Sequence, residues 1–99
     1  MASGGTRKVT GSVNGTGSAI DIRTVGFRPK KVELENVDGL ASCVWTDTMA
    51  DDSMVKRVTA GTMTFVTSNG IIPLSNGFTI GADSDLNASD ELIHYVAHE

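Results

Sequence analysis

What this chain has little of removes several ways of holding a fold together. A single cysteine, Cys43, in 99 residues leaves no intramolecular disulfide, and no Cys/His group shows metal-ligand spacing. No apolar run approaches the roughly 18 residues of a membrane-spanning helix, and Met1 to Thr10 has no apolar stretch of the kind a secretory leader needs. The expectation is a soluble chain made inside a cell, with no membrane contact and no cofactor. Only five residues are aromatic, and they do not interleave with the few basic ones, so direct nucleic-acid binding is not expected. A serine nucleophile elbow, a cysteine with a matched histidine and a phosphate loop are all missing, which argues against an enzyme.

What is there points to strands. Leu, Ile, Val and Phe supply 24 of the 99 residues, enough for one core with little to spare. A domain this lean commonly draws part of its stability from a partner. Short β-prone runs alternate with Gly and Asn-Gly turns, the pattern of an all-β antiparallel β-sandwich or jelly-roll-like barrel of about eight short strands. The runs are 7–13, 18–25, 31–37, 40–46, 62–67 and 92–98, with further apolar pieces at 71–72 and 78–80. The stretch 55–60 suits either a strand or one helical turn.

Within these runs the alternation assigns faces. Ile20 and Ile22 oppose Asp21 and Arg23; Val32 and Leu34 oppose Glu33 and Glu35; Ala41, Cys43 and Trp45 share one side. Asn14-Gly15 and Asp38-Gly39 read as turns, Gly26 to Pro29 as a corner, and the two Ser-Asn-Gly triplets at 68–70 and 75–77 as successive hairpin corners. Residues 1–8, rich in Gly, Ser and Thr and ending in Arg7 and Lys8, read as a flexible arm ahead of one domain over 9–99.

Charge is divided along the chain. Up to Lys31 there are six basic residues and one acid; beyond it Lys56 and Arg57 face eleven acids. Arg7, Lys8, Arg28, Lys30 and Lys31 are therefore candidate contacts to an acidic partner surface, with a solvated rim as the alternative. Trp45 is either a core anchor or a partner-binding or sugar-stacking ring. Asp83-Ser84-Asp85-Leu86-Asn87 imitates the opening of a calcium loop, but Ala88 stands where the sharp turn needs glycine and His94 where a bidentate glutamate belongs. The plainer reading is that these Asp and Asn side chains hydrogen-bond their own backbone in a turn. His94 and His98 share one strand face and with Asp83 or Asp90 could form a site, with structural surface histidines as the plainer reading, and Cys43 reads as an inert core thiol.

Several segments in order carry a resemblance. Gly26-Phe27-Arg28-Pro29-Lys30-Lys31-Val32, Val44-Trp45-Thr46-Asp47-Thr48-Met49, Val66-Thr67-Ser68-Asn69-Gly70-Ile71 and Gly77-Phe78-Thr79-Ile80-Gly81 resemble a recurring virion protein of tailed bacteriophages, as do Asp85-Leu86-Asn87 and Ile93-His94-Tyr95. The similarity spans about residues 26–98 and is to small β modules of the capsid-decoration, or cement, type. It implies a structural protein on the capsid exterior, self-associated as a homotrimer and bound to the major capsid protein, and it carries no catalytic or ligand residues. A tail or fibre module that stacks Trp45 or Tyr95 on host carbohydrate is the alternative.

Overall fold

A computed structural model describes residues 7–58 and 61–99 of the chain. Eight strands form in chain order: β1 (Lys8–Asn14), β2 (Ile20–Ile22), β3 (Lys31–Asn36), β4 (Ala41–Thr46), β5 (Ser53–Arg57), β6 (Met63–Leu74), β7 (Gly77–Ile80) and β8 (Leu92–His98). They make one antiparallel sheet in the order β1-β8-β3-β4-β5-β6-β7-β2, curled into a half-barrel. The all-β antiparallel expectation holds, and the ambiguous stretch at 55–60 resolves into β5, with Thr59 and Ala60 outside the described residues.

Alternation explains the curl. On β3, β4 and β8 every second residue is buried, so Val32, Leu34, Cys43, Trp45, Ile93, Tyr95 and Ala97 line the concave side. Such a sheet has one wet and one dry face, and it closes on itself to shield the dry one. Opposite walls meet in the middle: Tyr95 of β8 packs edge-on against Phe78 of β7, with ring centroids 5.4 Å apart. Tyr95 reaches there by lying across Gly11, where any Cβ would overlap its ring. Leu86 enters the same core from the loop before β8.

Three turn expectations come out differently. Asn14-Gly15 does not start a hairpin, because β1 and β2 are the two edges of the sheet and pair with β8 and β7. Gly15 is required instead by close approach to the Ala88 carbonyl. The second run shrinks to the three residues of β2, since Val25 and Phe27 leave the ladder to fill the core. Of the two Ser-Asn-Gly triplets, only 75–77 turns a hairpin, joining Leu74 to Gly77. The triplet at 68–70 lies inside β6 as a bulge. Register jumps there from Met54↔Val66 to Ser53↔Ile71, and Asn69 takes the left-handed conformation. Past that bulge β6 runs beyond the start of β5, so Pro73 costs no ladder bond to β5, and its carbonyl accepts from Arg28 Nη1 at 3.5 Å.

The expected arm over 1–8 falls largely outside the described residues. Its last member, Lys8, already pairs with His98 in β1.

Candidate interaction surface

The half-barrel has two unlike ends, because β1 and β3 start where β8 finishes. At one end lie Arg7, Lys8, Lys30 and Lys31. Arg7 forms a two-pronged bond with Glu99 (3.0 and 2.7 Å), and its guanidinium lies 5.1 Å from the centre of the Phe27 ring. The pairing holds the Glu99 carboxyl below its ordinary range and raises Arg7, through the shared hydrogen bond first and charge attraction second. Lys8, His98 and Lys31 sit side by side by register, and His98 Nε2 lies 2.9 Å from Glu33 Oε1.

Arg28 and Lys30 line a groove of about 340 Å³ together with Pro29, Trp45, Asp47, Asp51 and Pro73. Folding thus gathers the five candidate cations at one end but sets Asp47, Asp51, Glu33 and Glu99 among them, so the field is weaker than the sequence split implies. Trp45 does not belong with them as a surface contact. It is 1% exposed and its Nε1 donates to the Ala50 carbonyl at 3.2 Å. Its position on the inward face of β4, opposite Val32, makes it a core anchor.

The other end is sealed by the chain itself. Asp83 Oδ1 accepts from the amides of Asp85 (2.9 Å) and Leu86 (3.2 Å), the self-bonded Asp turn read from the sequence. Lys56, pointing inward from β5, bonds Asp83 at 2.9 Å and Asp85 at 2.8 Å and pins this loop over the barrel mouth. Burial alone would lower the Lys56 pKa; the two carboxylates outweigh it and raise it. Asn87, fully buried, accepts from the Thr16 amide (2.9 Å) and donates to the carbonyls of Ser18 (2.6 Å) and Gly81 (3.0 Å), tying the β1–β2 connection to the plug. Asn36 Nδ2 reaches the Leu86 carbonyl (3.1 Å) and Glu91 Oε1 (2.9 Å). Asn87, expected from the sequence to bond its own turn, instead reaches Thr16, Ser18 and Gly81, and Asn36 was not singled out in the sequence. The only hint is that Asn36 occupies an inward position of its strand's alternation.

The signal that sequence reasoning missed altogether is apolar and outward. Val37 (60% exposed), Leu40 (59%), Met63 (57%) and Phe65 (57%) stand in water. Val37 and Leu40 belong to the β3–β4 turn and, with Val58, Ala41 and Arg57, line a groove of about 450 Å³. The Asp38-Gly39 turn forms as expected, capped by Asn36 Oδ1 accepting from the Gly39 amide. Its left-handed residue, however, is Leu40 at φ 53°, a conformation that costs a side-chain-bearing residue about 1 kcal/mol. Leu40 thus holds a large apolar side chain in solvent at a cost in backbone strain. Met63 and Phe65 lie on the outer face of β6, beside Arg57 and Val55 by register.

Cys43 is buried among core residues, and burial pushes its thiol up to about 12. It stays protonated and unreactive at neutral pH. His94 and His98 share the outer face of β8, as the four-residue spacing required, with Val96 between them. No family model, characterised protein or solved structure matches this chain.

Proposed function

We propose that this chain is a structural virion protein that decorates and stabilises a tailed-phage capsid, binding the lattice of the major capsid protein from outside. The observation that carries the reading is the set of large apolar side chains left in solvent, on the β3–β4 turn and on β6, in a domain whose concave side is already filled. Exposed apolar surface of this kind is used for docking to protein. The ordered segments between residues 26 and 98 that resemble cement-type modules supply the kind of partner. Such a role needs many weak, shape-matched contacts repeated by symmetry, and it needs no reaction centre.

The carbohydrate-binding alternative loses its rings, since Trp45 is 1% and Tyr95 8% exposed. β1 offers a place for an arm: among the described residues no strand lies beside its outer edge, and residues 1–6 of a neighbouring copy could extend the sheet there.

Mixing purified protein with undecorated, expanded heads and imaging them tests the proposal. Saturable density at symmetry-related positions on the capsid is the expected result. Heads that stay bare at saturating protein, or binding only to host-surface glycans, would overturn it. Deleting residues 1–6 is expected to lower occupancy; unchanged occupancy removes the arm from the account.

A further inference from the structure

Register fixes what stands side by side on the outer face of the central strands. One row runs Val96 (β8), Glu33 (β3), Val44 (β4), Val55 (β5) and Phe65 (β6). The next runs His94, Glu35, Ser42, Arg57 and Met63 in the same strand order. In that second row Glu35 and Arg57 flank Ser42, each one strand away, or about 5 Å. Both are exposed, and neither has an ion-pair partner among the described residues. Across β4 the charges are therefore opposite in sign at equal distance, while each end of the first row is apolar.

The Glu35 and Arg57 pair about Ser42 is complementary to itself. A two-fold axis laid along β4, in the plane between two facing sheets, exchanges β3 with β5 and β8 with β6. It sets Arg57 of each copy over Glu35 of the other and Val44 against Val44, with Glu33 over Val55 and His94 over Met63 beside them, while Phe65 and Val96 lie toward the rim, where the convex faces curve apart. A two-fold interface demands this, since the same patch must serve both partners. We propose that the outer face of β3–β6 is a two-fold docking surface for a second copy of this chain. Packed sheets stand about 10 Å apart, a gap that Arg and Glu side chains reaching from both sides can span. Unrelated partners would have to supply the same alternation of a cation and an anion at the same spacing; a second copy supplies it by construction. The strained Leu40 and its groove lie at the rim, next to Arg57. The inference goes beyond the capsid reading and does not depend on it.

Sedimentation velocity of the full chain in reductant, over about 1 to 300 µM, is the measurement. The expected result is a monomer–dimer equilibrium. Arg57→Glu or Glu35→Arg alone should weaken it by about tenfold or more, through like charges brought face to face. The double exchange E35R/R57E should restore it, and circular dichroism should show every variant folded. A chain that stays monomeric, a dimer indifferent to either single reversal, a double variant that is not rescued, or a trimer would overturn the interface. Of these, a monomer that still coats expanded heads would leave the capsid proposal standing.

Discussion

The plugged end of the half-barrel and the outer face of its central strands use polar groups in opposite ways. At the plug, Asn36, Asn87 and Lys56 spend several hydrogen-bonding atoms on the chain's own carbonyls and carboxylates. On the outer face, Glu35 and Arg57 are left unpaired among the described residues and Phe65 and Met63 are left wet. Polar groups satisfied within the chain hold the fold together. Those left over are available to something else.

Substitutions can break that contrast. The largest effect is expected at Asn87→Ala, which strands the Thr16 amide and the carbonyls of Ser18 and Gly81, the last of them buried, and should cost about 3 kcal/mol in urea unfolding, with the slope unchanged. Cys43 comes next and is read through pH. Its thiol is raised by burial to about 12, so the folded chain holds a proton that the unfolded chain releases from about pH 8.5. Stability is then intact below that pH and falls above it, by up to about 1.4 kcal/mol per pH unit. Cys43→Ala should flatten the curve between about pH 9 and 10, before lysines titrate. A wild-type curve that is already flat there would contradict the burial.

Leu40→Gly works in the other direction. Glycine takes the left-handed turn without strain, so stability should rise by about 0.5–1 kcal/mol while the apolar rim is lost. A loss of stability would show that Leu40 serves the fold. The smallest change in stability is expected at Phe65→Ser, within about 0.5 kcal/mol, although its side chain is as large as the Phe78 buried in the core. Hydrophobic-dye binding by the folded protein should fall with it.

Strand existence was legible because period-two alternation is a local signal, and Ala41, Cys43 and Trp45 all turn inward as the pattern says. Pairing was not legible. Asn14-Gly15 and Ser68-Asn69-Gly70 look like hairpin turns by composition, yet one leads between the two sheet edges and the other forms a bulge. Turn residues report a permissive backbone and not which strands the chain joins. The five cations were legible as two clusters, at 7–8 and 28–31, but their meeting at one end was not, because it depends on β1 and β3 both pairing with β8. Trp45 as a surface residue was not sustained, because its alternation partners already placed it inside. The outward row of Val44, Val55 and Phe65 was hidden by its spread over three strands. Only register brings such residues together.

The position of β8 governs when this domain can become itself. Its seven residues sit between β1 and β3, so the last strand of the sheet in sequence is paired on both sides with early ones. During synthesis β1 and β3 must wait, edges open, until residue 98 has cleared the ribosome. Contacts over nearly the whole chain length also make closure slow, on the scale of milliseconds to seconds. Until then β1 has no partner and β3 is paired on one side alone, and those open edges can pair with a neighbouring chain. The order in which this sheet closes is therefore set by the emergence of β8.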